Sequence, residues 1–178
     1  NSNFSIERLF IDIRQSMPVD IESKVYTCKY PSRGIFKRLC NAVEAFFYQG
    51  NVNHITGDVH YLSFFLKKSK TILTIHDCAS LERLNGIHWF IFFYIWFWIP
   101  EKRVSIITVI SESTKTELLR FLKCDPAKIR VISDCVSEEF KPVPSRFSNE
   151  KPIILQVGTG ENKNIQNIAK ALINIPCH

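Results

Sequence analysis

Thr71-Ile72-Leu73-Thr74-Ile75-His76-Asp77 is the stretch whose reading decides the fold. An apolar, β-branched run ends abruptly in two proton-handling side chains, with Lys67-Lys68-Ser69-Lys70 before it and Cys78-Ala79-Ser80 after it. A short run of this kind, without apolar–polar alternation, predicts a strand buried on both faces, as in parallel sheets. Ligands of open α/β sheets bind just past the carboxyl ends of the strands. His76 and Asp77 are therefore the first candidate site residues, facing a binding cleft.

Upstream, Ile6, Leu9, Phe10, Ile13 and Met17 recur at helical spacing, with Ser5 as N-cap, Phe4 and Leu9 at staple positions and Pro18 as the stop. Residues 24–28 predict a short strand. Phe36, Leu39, Val43, Phe46 and Phe47 predict a helix over 35–48, and residues 52–56 a further strand. Gly57 turns the chain, and Asp58 is placed to cap a helix carrying Val59, Leu62, Phe65 and Leu66. Downstream, residues 104–110 are again β-branched. Residues 111–117 offer several caps, including a Thr114 and Glu117 capping box, ahead of Leu118, Leu119, Phe121 and Leu122, and Asp125-Pro126 turns into a strand over 129–132.

Strands and helices thus alternate, which predicts an α/β fold with a doubly wound, Rossmann-like parallel sheet over residues 1–140. Residues 141–150 are polar and proline-bearing and read as a linker. A new unit begins in 151–178 with a buried strand over 151–157, a tight turn at Gly158-Thr159-Gly160 and a helix over 164–173. The chain opens without methionine and stops soon after this unit begins, as a fragment would.

The chain has 178 residues, 46% of them hydrophobic and 22% charged, values that suit a globular protein and exclude wholesale disorder. A net charge of +6 suits an anionic partner: nucleic acid, an anionic membrane surface or a phosphorylated ligand. The basic residues are dispersed, with no aromatic-interleaved stripe, so a nucleic-acid partner is disfavoured. Six scattered cysteines form no Cys-x-x-Cys pair and no zinc spacing, which points to free thiols in a reducing compartment. There is no Gly-x-Ser-x-Gly elbow and no Cys/His nucleophile signature.

Each candidate has a plainer reading beside it. His76 can be a satisfied histidine at a strand end, and Asp77 a cap for the next segment. His54, Asp58 and His60 could be drawn as a metal set, but strand, turn and helix positions give no recognised ligand spacing. Asp58 as a cap and His60 as an exposed helix residue explain more, and no metal is expected. Gly158 and Gly160 after a strand could cradle a phosphate. A dinucleotide fingerprint would need a third glycine where Lys163 stands. Lys163 could instead neutralise a diphosphate. Residues 87–99 are apolar all round and hold all three tryptophans, yet fall short of the ~20 residues that span a bilayer. Two readings stay open for them: a helix covering the sheet, or one dipping into a membrane surface.

The order of these pieces resembles family 4 glycosyltransferases of the GT-B fold. Asn53-His54-Ile55-Thr56-Gly57-Asp58-Val59-His60 looks like that family's strand and turn facing the acceptor cleft, and residues 71–77 like its apolar strand ending in His-Asp. Thr108-Val109-Ile110-Ser111-Glu112-Ser113-Thr114-Lys115 and Asp125-Pro126-Ala127-Lys128-Ile129-Arg130-Val131-Ile132 are similar to the last strand, helix and strand of its amino-terminal domain. Ile154-Leu155-Gln156-Val157-Gly158-Thr159-Gly160-Glu161-Asn162-Lys163-Asn164 resembles the opening of the donor-binding domain. The likeness runs from about Ile6 to Leu172.

That resemblance implies metal-independent, cofactor-free sugar transfer from a nucleotide sugar lying between two Rossmann-like domains to a cytoplasmic glycan or lipid-linked acceptor. His76 and Asp77 would be the catalytic pair and His54, Gly57 and Asp58 the acceptor side. Gly158, Thr159, Gly160, Lys163 and Asn164 would bind the donor, with Lys163 stabilising the departing diphosphate. The protein would be cytoplasmic, peripheral on the inner face of the membrane through residues 87–99. Ser133-Asp134-Cys135 replaces the family's frequent Pro-Asn-Gly, and no arginine precedes Lys163 within Gly160-Glu161-Asn162. The family's donor-sugar carboxylate pair would fall beyond His178, so the 178-residue chain alone is expected to be inactive. The alternatives are a non-catalytic Rossmann-like module docking on a membrane, and another GT-B-like enzyme such as a sugar-nucleotide epimerase.

Overall fold

The computed structural model describes residues 4–137, 139–144, 150, 152–158 and 163–175. It divides into two compact units, residues 1–137 and 138–178. The first unit is α/β and is built on an all-parallel sheet of four strands: β1 (Asn53–Ile55), β2 (Thr71–Ile75), β3 (Ile106–Val109) and β4 (Ile129–Val131). The strands lie side by side in chain order, so every connection crosses over in the same sense. The reversal of strand order that defines a doubly wound sheet does not occur among these four strands.

In a parallel pair, registered residues share a face. Ile55, Leu73, Ile107 and Ile129 therefore line one face, joined by Ile75 and Val109, and all six are at most 5% exposed. This face belongs to one core cluster with Ala42, Ala45, Tyr61, Leu62, Phe93, Trp96, Phe97 and Leu118. The opposite face carries the sheet's polar residues: His54, Thr74 and Thr108 lie along it beside Ile72 and Ile106, with Arg130 on the edge strand. Helix α1 (Phe4–Gln15) lies against this second face through Phe10, whose ring meets the His54 ring edge-on at 5.4 Å. The strand expected around Thr71 is thus internal to the sheet and buried, as its composition requires.

Local differences from the sequence expectations have identifiable causes. Helix α1 includes Phe4 and Ser5, so Ser5 is not its cap. Residues 24–28 form no strand. Tyr26 stacks on Tyr48 at 4.9 Å, and just beyond, the backbone N–H and carbonyl of Tyr30 are both held by the Asn41 side chain of α2 (Ile35–Phe47), which does the work of a partner strand. After β1 the chain makes a single 3-10 turn (His60–Phe64) rather than an Asp58-capped helix. Helix α6 (Glu112–Phe121) uses the first of the caps offered by 111–117: the Ser111 hydroxyl accepts the amide of Thr114 at 3.1 Å, and Thr114 itself lies inside the helix.

Between β2 and β3 come a short helix α3 (Ala79–Arg83) and then a continuous helical path: α4 (Gly86–Phe93), a π-helical turn (Tyr94–Trp98) and α5 (Ile99–Arg103). Pro100, which has no N–H to donate, sits just past the π turn. Aromatic stacking holds this path together: Trp89 on Phe93 at 4.9 Å and Phe92 on Trp96 at 5.1 Å. Apolar on all sides in sequence, it is two-sided in the fold, with Phe93, Trp96 and Phe97 buried and Ile87, Phe90, Ile91, Tyr94 and Trp98 exposed.

In the second unit, described residues 152–157 form no strand, and Ile153, Leu155 and Val157 are exposed. The buried strand expected there lacks a neighbour: no strand of this unit occurs among the described residues. Helix α7 (Ile165–Ala171) is shorter than expected. Part of the expected linker, 145–149, lies outside the described residues.

Candidate functional site

His76 sits in the loop just past β2 and continues the strand's polar face, on the side of Thr74 and His54. Its Nε2 lies 3.1 Å from the carbonyl oxygen of Thr56, in the loop past β1. A carbonyl only accepts, so Nε2 carries the proton and the lone pair of the neutral ring is on Nδ1. Nδ1 lies 4.0 Å from Oδ2 of Asp134, in the loop past β4. The Phe10 ring packs edge-on against His76 at 6.2 Å, as it does against His54. Three loops at one end of the sheet and one helix thus fix a single half-buried imidazole. Its open nitrogen can accept a proton, and the Asp134 carboxylate would stabilise the resulting imidazolium.

Asp77 is exposed, and its Oδ1 accepts the amide of Ala79 at 3.0 Å, turning the chain into α3. That is the plainer of its two sequence readings. His54, on β1, is the next residue of the polar face. Its Nε2 is 2.7 Å from the Thr74 hydroxyl, which is 2.7 Å from that of Thr108. Partial desolvation, and then the neighbouring His76, push the His54 imidazole below its usual range.

The rest of the acceptor-side set does not converge on His76. Gly57 makes a tight turn, its carbonyl accepting the Val59 amide at 2.7 Å. Asp58 turns away, and its Oδ1 accepts the Trp96 indole N–H at 2.6 Å. His60, expected to be exposed, is 5% exposed, and its Nδ1–H donates to the Trp96 carbonyl at 2.6 Å. Asp58 and His60 therefore clamp the aromatic helix onto the 3-10 turn, because a buried tryptophan brings both an N–H and a backbone carbonyl that need partners. Asp58 and His60 engage Trp96 while His54 engages Thr74, and among the described residues no group of His, Cys, Asp and Glu is arranged to hold a metal ion.

Cys78, adjacent to the site in sequence, is fully buried. Desolvation, and then the carboxylates of Glu117, Asp77 and Glu82, push its thiol up to about 12. It is a packing residue and not a nucleophile. In the second unit Gly158 has φ +89°, a conformation glycine tolerates, and the Lys163 side chain folds over it: a Cβ at 158 would meet Lys163 Cε at 3.2 Å. Asn164 adopts φ 55° at the start of α7 and accepts the Asn167 side-chain amide at 2.7 Å. Thr159 and Gly160 lie outside the described residues. Neither of the two apolar pockets, lined by Leu39, Tyr61 and Ile95 and by Val43, Phe47 and Arg103, includes His76 or its contacts.

Phe10, Thr74, Thr108 and Asp134 were not singled out in the sequence. Strand parity could have found Thr74, two residues before His76, and Thr108 opposite it in register. Nothing local to Phe10 or Asp134 signals their approach.

Burial holds the His60 imidazole neutral, well below its unfolded value of 6.5, despite the opposing effects of the Trp96 carbonyl and Asp58. An unfolded chain takes up a proton below that pH while the folded one does not. Stability is therefore expected to be level above about pH 6.5 and to fall below it, with His60 contributing a slope of up to about 1.4 kcal/mol per pH unit. Urea midpoints from pH 7.5 to 5, set against His60→Gln, check this: the variant should lose that part of the slope.

Comparison with protein-family models, with curated proteins and with solved structures gives no match.

Proposed function

We propose that the first unit is the acceptor-side half of a GT-B glycosyltransferase of family 4, transferring sugar from a nucleotide-sugar donor to a glycan or lipid-linked acceptor at the cytoplasmic face of a membrane. One observation carries the reading. His76 stands at the carboxyl end of an internal strand of an all-parallel sheet, anchored through Nε2 on Thr56 with Nδ1 turned toward Asp134. This is where an open α/β sheet receives its ligand.

In this scheme Nδ1 of His76 accepts a hydrogen bond from a substrate hydroxyl at the reacting centre, and Asp134 stabilises any positive charge that the ring gains. His54 stays neutral beside it. Asp77 supports the site by turning the chain into α3. Lys163, folded over Gly158, is assigned to the departing diphosphate, where a cation offsets charge developing in the transition state. Thr159, Gly160 and Asn164 complete the donor loop, and no metal is required.

The test is transfer of radiolabelled sugar from UDP- and GDP-sugars to lipid-extracted acceptors by the intact protein. His76→Ala is expected to lower turnover about 100-fold or more, the usual worth of a positioned acid–base group. Asp134→Asn should lower it less. Transfer by His76→Ala at the parent rate, with the fold retained, would overturn the proposal.

A further inference from the structure

Two helices of the first unit present apolar side chains to solvent on adjoining surfaces. On the aromatic path Ile87, Phe90, Ile91, Tyr94 and Trp98 are each at least 44% exposed, and on α2 Ile35, Phe36, Leu39, Val43, Phe46 and Phe47 at least 42%. One depression lies between α2 and Ile95 of the path, and a second lies beside α2. The first, of about 130 Å³, is bounded by Ile35 and Leu39 of α2 and by Tyr61, Phe64 and Ile95. The second, of about 280 Å³, is bounded by Val43, Phe46 and Phe47, with Phe65 and Arg103. An exposed apolar area of this extent marks an interaction surface.

On the segments that form it the exposed charges are of one sign, while α3, which packs against α4, adds exposed Glu82 and Arg83. Along α2, the segment 64–70 and the path 86–103, the exposed charged side chains are Lys37, Lys67, Lys68, Lys102 and Arg103. The two acids on these segments are withdrawn: Glu101 is buried between Lys102 and Lys128, and Glu44 is half-buried beside Tyr26. Arg38 lies over the Trp96 ring at 4.5 Å, at the edge of the first depression. Lys102 is already paired with Glu101, and a protein partner with an apolar interface would have to match the remaining cations of this rim one by one. A sheet of anionic headgroups over acyl chains matches the apolar centre and the cationic rim together. Tyr94 and Trp98 carry the polar-tipped rings favoured at headgroup depth. No helix among the described residues is long and apolar enough to cross a membrane, so the contact is superficial.

We infer that α2 and the aromatic path together form one docking surface for an anionic lipid bilayer. Residues 87–99, which the sequence marked, are half of it, and α2 is the other half. None of the residues bounding the two depressions touches His76, so docking is independent of sugar transfer.

Flotation of the 178-residue chain with vesicles tests this. The chain should float with phosphatidylcholine vesicles containing phosphatidylserine, and bind phosphatidylcholine alone about tenfold less or worse. Phe36→Ser with Phe47→Ser on α2 and Phe90→Ser with Trp98→Ser on the path should each abolish flotation, while circular dichroism stays unchanged because all four side chains are exposed. Lys67→Glu with Lys68→Glu should remove the preference for phosphatidylserine. Unaltered flotation of the α2 variant would overturn the two-helix surface. Absence of flotation, with a dimer in light scattering that the same substitutions dissociate, would overturn the lipid assignment in favour of a second copy of the chain.

Discussion

Trp96→Ala should destabilise the first unit by about 3–5 kcal/mol, the largest single-residue effect we expect. The side chain is 5% exposed and meets four partners at once: Phe92 stacked at 5.1 Å, Tyr61 edge-on at 5.6 Å, the Arg38 guanidinium over its face and Asp58 at its N–H. Truncation leaves a cavity at the centre of the contact between the aromatic path and the 3-10 turn. Trp96→Phe keeps a ring for Phe92 and Arg38 but leaves Asp58 without its donor. Because Asp58 is exposed and can turn to water, this variant should cost only about 1–2 kcal/mol. Urea denaturation of the three proteins checks the order. Equal midpoints for parent and Trp96→Ala would show that the aromatic path is not integral to the core.

Lys128→Met should cost about 2–3 kcal/mol, by removing one of the two cations that pair a buried carboxylate and leaving only Lys102. Glu101 is 5% exposed and receives Lys128 Nζ at 3.0 Å and Lys102 Nζ at 3.0 Å, while Lys128 Nζ also donates to the Glu101 carbonyl. Burial pushes the Glu101 carboxyl up, but the hydrogen bonds from Lys102 and Lys128 outweigh it and bring the group below its ordinary 4.5. A carboxyl depressed in the folded state stabilises above the unfolded value and loses that contribution as pH falls through the folded one. The parent should therefore hold this increment down to about pH 4.5 and lose it in more acid solution. Glu101→Gln with Lys128→Met should recover most of the loss, and a double-mutant cycle measures the coupling. Simple additivity of the two single changes would sink the pairing argument.

What could be read from the sequence was whatever local composition determines. The run 71–75 has no charged position, only threonines among apolar and β-branched residues, so an internal parallel strand was the remaining solution. The spacing from Phe36 to Phe47 could only be helical. The misreadings lie where a partner distant in the chain overrides local preference. Lys24 to Cys28 has strand-forming residues, but the Asn41 amide takes the backbone groups of nearby Tyr30, and no strand lies alongside. Asp58 and His60 looked like a cap and a surface residue because their partner, Trp96, is 38 and 36 positions away. Ser111 and Thr114 are both competent caps, and only the packing of α6 selects between them. At the site, His76 was visible as a strand-end residue, whereas Asp134 comes from the loop past β4 and has no local mark.

The strand order has a consequence for how the protein comes into being. Because β1 to β4 lie in space as they lie in the chain, each strand emerging from the ribosome meets a sheet edge laid down by its immediate predecessor. No strand has to wait for, or be threaded between, two already paired neighbours. Closing each pairing spans only the intervening crossover, so the loop-entropy cost is met in small instalments. The sheet can therefore be assembled during synthesis, in the direction of synthesis, each new strand adding at the same growing edge.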